Sequence, residues 1–206
     1  MTRRAPSASL NEEPLICAAQ GGDVGAFNRL VLEYQQIAYN VAYRILGNAD
    51  QAADATQDAF VRAYNALHQF RGGSFKAWML RIVTNCCYDI LRVKQRRPTT
   101  PIDDLVEDDE HSRLIEDPAE RPDESLERQQ LGELIQAGIA TLPDDQRTVV
   151  VLSDIEGLSY DEIAAVTSVS LGTVKSRLSR ARAKLRDYLL ERRELLPDRF
   201  RLMDSE

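Results

Sequence analysis

The chain has 206 residues, 43% of them apolar, enough for one or two modest domains with real cores. No apolar run approaches the about 20 residues a membrane-spanning helix needs, and the start, MTRRAPSASLNEEP, has two arginines with no apolar segment behind them, so neither a span nor a secretory signal is expected. The net charge of −7 argues against a nucleic-acid binder until it is located along the chain.

In the first block, Asp23 can cap a helix whose apolar residues Phe27, Leu30, Val31, Tyr34, Ala38, Val41 and Ile45 follow three- and four-residue steps, with Gly47 as a stop. The next helix, NADQAADATQDAFVRAYNAL, buries Ala52, Ala59, Phe60, Ala63, Tyr64 and Leu67 or nearby positions. Its other side carries Asp50, Asp54 and Asp58 at four-residue intervals, with Gln57 and Arg62 beside them. Like charges at that spacing weaken a lone helix, so either a cationic partner or a plain solvated face accounts for them.

A third helix follows the Gly72-Gly73 break, capped by Ser74 and running to about Arg96. Phe75, Met79, Ile82, Val83, Cys86, Ile90 and Val93 share one side; Trp78, Arg81, Asn85, Tyr88, Arg92 and Arg96 share the other. Rings stack on unpaired bases, guanidinium groups neutralise phosphate and an amide reads base edges, so this stripe suits single-stranded nucleic acid. Phe70 and Phe75, flanking the glycines, can line a pocket for an unstacked base. Half-buried core edges remain the alternative for Trp78 and Tyr88.

Between Asp103 and Arg128 twelve acids face three arginines, a net of −9 that leaves the rest of the chain at +2. Pro98, Pro101, Pro118 and Pro122 punctuate this segment, which has little apolar periodicity and reads as a flexible linker. The linker acids are expected to cover the basic faces in the free protein. The expected organisation is all-α: helical domains at 10–97 and 130–190, a linker at 98–129 and a tail at 191–206 that frays into coil. The run VVVL at 149–152 is too short for a strand and sits in a helical pattern.

The C-terminal block carries the sharpest pattern, LSYDEIAAVTSVSLGTVKSRLSRARAKLR, which reads as two short helices around a tight turn. Ser159 and Glu162 form a capping box, and Ser170 supplies the second cap. From Ser170 to Arg186 there are six cations and no acid. Val174, Leu178, Ala181 and Leu185 share a buried face; Gly172, Thr173, Ser176, Ser179 and Arg180 lie opposite, with Lys175 on the flank. This is the pattern of a helix-turn-helix reader of a DNA major groove, against the alternative of a solvated amphipathic helix.

At these residues the chain resembles the bacterial RNA polymerase sigma factors of the extracytoplasmic-function class, in the sigma-70 family. The carriers are GDVGAFNRLVLEY (22–34), DATQDAFVRAY (54–64), FRGGSFKAWMLRIVTNCCYDILRVKQRRP (70–98) and LPDDQRTVVVLSDIEGLSYDEIAAVTSVSLGTVKSRLSRARAKL (142–185). The resemblance implies an alternative sigma factor that binds core polymerase at the β′ clamp and β flap and directs promoter-specific initiation. Domain 10–97 would be sigma region 2 and domain 130–190 sigma region 4. Asp54, Gln57 and Asp58 would face the β′ clamp. Phe70, Ser74, Phe75, Trp78, Arg81, Asn85, Arg92 and Arg96 would read and melt the −10 element; Thr173, Lys175, Ser176, Ser179 and Arg180 would read the −35 element. The linker would thread the polymerase RNA-exit path. An anti-sigma factor is the further partner implied, in a bacterial cytoplasm.

No enzymatic activity, cofactor, metal or small-molecule substrate is expected. There is no nucleophile–base pair or phosphate-cradling loop, His68 and His111 are isolated, and Cys17, Cys86 and Cys87 are badly spaced for zinc. A two-domain regulator acting without polymerase leaves Trp78, Asn85, Asp54 and Asp58 without purpose; an RNA-binding adaptor leaves the duplex reader unexplained.

Overall fold

The computed structural model describes residues 12–96 and 122–196, with the side chains of 122–128 left undescribed. Among the described residues the secondary structure is helical throughout: α1 Glu12–Gln20, α2 Val24–Leu46, α3 Ala49–Ala66, α4 Phe75–Arg96, α5 Pro122–Ala140, α6 Asp144–Val150, α7 Tyr160–Thr167 and α8 Leu171–Glu191. A 3₁₀ turn, Leu67–Gln69, leads from α3 towards α4, Val151–Ile155 continues α6 as a short π-helix, and a second 3₁₀ turn, Arg193–Leu195, follows α8. The acidic stretch to residue 121 and the tail beyond residue 196 lie outside the described residues, and so does any shielding of basic faces by that stretch. Helix α5 starts inside the expected linker, with Pro122 at a first helical position where its missing N–H costs nothing.

The first four helices form a bundle in which α2, α3 and α4 pack on one another and α1 lies across α2. Asp23 caps α2 by accepting from the Ala26 N–H, and Gly47 ends it in the left-handed region at φ 68°, where a side chain would be strained. Helix α3 is thin on its inner side, burying Ala52, Ala55, Ala59 and Ala63, so its axis approaches its neighbours closely. Tyr64, expected inside, is 44% exposed, because the alanine seam brings the backbone too near to admit a large ring; it rests edge-on against Phe27, centroids 5.0 Å apart. Phe60 is half-buried.

Helix α4 differs most from its expected faces. Val93 is 59% exposed, whereas Leu80, Thr84 and Cys87 are fully buried. Helix α4 packs on α2, α3 and α7, so more than one of its faces is covered. In the C-terminal half, α6 and α7 pack on α8 and α5 crosses it. At that crossing Gly138 admits the Tyr188 ring, only 3.0 Å from where a Cβ would stand. The buried residues of both halves form one continuous cluster.

Candidate nucleic-acid interface

The helix-turn-helix is bounded by three serines, two of which cap through their hydroxyls. Ser159 accepts from the Glu162 N–H while the Glu162 carboxylate accepts from the Ser159 N–H at 2.8 Å, closing the capping box. Ser170 accepts from the Thr173 N–H at 3.1 Å to start α8. Between them Ser168 takes φ 56°, ψ 41°, the left-handed conformation that ends α7. Val174, Leu178 and Ala181 are buried as expected, with Leu185 half-buried. Lys175, Ser179 and Arg180 are exposed; Thr173 and Ser176 are half-buried on the same outward side.

Not all the α8 cations face outward as free charge. Arg182 grips Asp154 with two hydrogen bonds, 2.9 and 2.6 Å, and Arg177 pairs with Asp145 at 2.8 Å. Those acids come from α6 and the π-helix, so tertiary contacts supply what the local sequence lacks. The Arg182 bonds hold the Asp154 carboxyl below its ordinary pKa, against the opposing effect of burial. Beside the reading face runs a groove of about 450 Å³ lined by Tyr160, Lys175, Ser179, Arg182 and Arg186. Cations and a phenol lining a groove suit a phosphate backbone. The spacing of Arg182 and Arg186 was visible in the sequence, but Tyr160 comes from the other helix and carried no signal of its own.

On α4, Arg81, Asn85, Arg92 and Arg96 are exposed and Trp78 half-buried, so these five share one accessible stripe. Tyr88 does not belong to it: it meets Thr148 of α6, and burial pushes its phenol above the ordinary value. Arg92 lies 3.5 Å from Asp89, which Arg62 of α3 also bonds at 3.0 Å. Phe70 and Phe75 are buried and meet edge-on, centroids 5.5 Å apart, with Trp78 5.5 and 5.4 Å from them and Tyr34 5.3 Å from Phe75. The rings fill the space between one another, so the pocket expected between the phenylalanines is closed. Ser74 caps α4, accepting from the Ala77 N–H at 3.1 Å.

One supporting residue escaped the sequence reading. Gln20, the last residue of α1, donates to the Leu67 and Phe70 carbonyls at 3.0 and 2.9 Å, pinning the approach to the Gly72-Gly73 loop. A glutamine ending a short helix carries no pattern that distinguishes it. Asp54, Gln57 and Asp58 are all exposed on α3, on the side away from its alanine seam. Burial pushes the Cys87 thiol up to about 12 and raises Cys86 as well, so neither is a ready thiolate.

Two family models match the chain. The model for sigma-70 region 2 matches residues 30–97 and that for sigma-70 region 4 matches 132–185. The chain is 41% identical over 165 residues to the ECF RNA polymerase sigma factor SigE of Mycolicibacterium smegmatis, covering 80% of this chain and 62% of that one. It is 38% identical to the RNA polymerase sigma-H factor of Pseudomonas aeruginosa, over 83% of this chain and 90% of that one, and 35% identical to the ECF RNA polymerase sigma-E factor of Escherichia coli, over 85% and 93%. Among solved structures, CnrH in complex with the cytosolic domain of CnrY superposes with a TM-score of 0.61 at 29% identity, covering 87% of this chain and 97% of that one. The sigma factor RpoE of Bartonella quintana, in complex with the anti-sigma factor NepR, gives 0.63 at 25% identity over 81% and 98%. Among the described residues no helix is long and apolar enough to cross a membrane. The chain belongs to the extracytoplasmic-function sigma factors of the sigma-70 family.

Proposed function

We propose that this chain is an alternative sigma factor that binds core RNA polymerase in the bacterial cytoplasm and directs promoter-specific initiation without catalysing a reaction itself. The observation that carries the reading is the pairing, on one chain, of an exposed aromatic–amide–guanidinium stripe on α4 with a capped helix-turn-helix whose α8 exposes Lys175, Ser179 and Arg180. Stacking contributes about 1–3 kcal/mol per base, so Trp78, half-buried and backed by the buried Phe70 and Phe75 rings, holds strands that have separated. Asn85 meets a base edge, Arg81, Arg92 and Arg96 hold phosphates, and Ser74 fixes the loop that delivers them. Thr173, Lys175, Ser176, Ser179 and Arg180 face the −35 duplex, with the Tyr160–Arg186 groove against its backbone.

Asp54, Gln57 and Asp58 dock on the cationic β′ clamp and the region 4 module on the β flap. Each module alone binds weakly; core polymerase spaces them and converts two weak contacts into one multivalent engagement. The segment between the modules follows the RNA-exit path, where its acids imitate nucleic acid. Control by an anti-sigma factor is supported by the likeness to RpoE bound to NepR. Run-off transcription with purified bacterial core polymerase on genomic promoter fragments tests the reading. A specific transcript that requires the added chain supports it; a pattern identical to that of core alone rejects it.

A further inference from the structure

Arg182 of α8 has a side chain 49% exposed, yet it is not a free charge. Its Nε and Nη2 donate to the two carboxylate oxygens of Asp154, on the π-helix after α6, at 2.9 and 2.6 Å. The Tyr160 hydroxyl, on the first residue of α7, meets the same guanidinium. Arg182 is thus held from two elements outside its own helix. Of the five N–H groups of a guanidinium, the fork on Asp154 takes two, and the rest serve other acceptors.

The place of Asp154 matters as much as its bonds. Arg182 lines the groove beside the reading face together with Tyr160, Lys175, Ser179 and Arg186, whereas Asp154 grips it from outside that lining. The carboxylate therefore cancels charge without filling the space that a phosphate would take. Arg177 is paired too, with Asp145 at 2.8 Å, but its side chain is only 23% exposed and offers little to a ligand. An exposed ion pair contributes modestly to stability, so the larger consequence of the Arg182 pair lies at the DNA.

An unpaired arginine attracts every duplex alike, because it neutralises a phosphate and releases its counterion whatever the sequence. A paired and positioned one attracts less at a distance, but it still donates to a phosphate oxygen brought to the right place, and such contacts fix register. Resting on the reading of α8 as the −35 reader, we propose that Asp154 is a positioning residue for specificity. It withholds Arg182 from sequence-independent attraction. It also keeps the rest of the fork for a phosphate that enters the groove only when α8 sits in register on its site. Promoter choice by region 4 is thereby set in part by an acid that need touch no DNA.

Fluorescence anisotropy of the full chain tests this on two duplexes of equal length, one of random sequence and one carrying the −35 element of a promoter identified by run-off transcription. Asp154→Asn and Asp154→Ala, with helical content by circular dichroism unchanged, should each steepen the fall of log affinity with log salt on the random duplex by about one. Relative to wild type, that is a gain of about threefold on passing from about 200 to 50 mM salt. The preference for the promoter duplex should drop by about the same factor. Asp154→Glu, which keeps the charge, should retain the wild-type slope, and adding Arg182→Ala to Asp154→Asn should remove the extra steepness. A wild-type slope in both Asp154→Asn and Asp154→Ala, or a steepening that survives the loss of Arg182, overturns the proposal. The random-sequence arm involves neither promoter nor polymerase, so it can fail while run-off initiation stands, and the reverse.

Discussion

At the residue scale, the cations of α8 divide by their partners. Arg177 and Arg182 are spent on Asp145 and Asp154, while Lys175 and Arg180 are exposed beside the reading face. Arg180→Ala is therefore expected to cost about 1–3 kcal/mol against one base pair of the −35 element and little against its substitutes, measured by mobility shift of the holoenzyme on single-substituted promoters. A uniform loss on every sequence would mark Arg180 as a phosphate contact instead. The outward positions of α8 were legible from its 3.6-residue period, because Val174, Leu178 and Ala181 define the inner face unaided. The anchoring of Arg182 was not, since Asp154 lies 28 residues away and joins it only through the fold.

At the element scale, caps carry most of the local information. Asp23, Asn48, Ser159 and Ser170 each start a helix by accepting a backbone N–H, and all but Asn48 were read as caps from residue type and spacing alone. The faces of α4 were half legible. Phe75, Met79, Val83 and Cys86 are buried as expected, but Leu80, Thr84 and Cys87 are buried too, on a helix that also packs against α7, which no local periodicity reports. Acid tests the elements of region 4. Asp154 and Glu162 both titrate below their ordinary values, through hydrogen bonds from Arg182 and Ser159 respectively. A depressed folded-state pKa contributes stability that is fully present above the unfolded value, about 4, and is lost as pH falls through the folded one. Asp154→Asn should thus cost about 1 kcal/mol near neutrality, and the gap in thermal midpoint from wild type should close as pH falls below the unfolded value and through the lowered folded one. A gap that stays constant with pH would show that Asp154 stabilises by shape and not by charge.

At the scale of the whole molecule, two modules and their charge segregation were legible, because the acids cluster between two cationic blocks. Their packing into one continuous core was not, because the contacts that join them, Glu156 with Lys76 and Arg147 with Ile45, link residues 80 and 102 positions apart. Nothing in the local pattern of either module points to the other, yet the two pack into one core. The central claim is that α4 holds the separated strands within the complex of core polymerase and promoter. Permanganate mapping of unpaired thymines in a complex of promoter, core polymerase and this chain tests it most directly. The account predicts reactivity around the −10 element that needs both proteins and is lost when Trp78→Ala is combined with Asn85→Ala, with core binding retained. Reactivity undiminished in that double variant, or present without the chain, would contradict it.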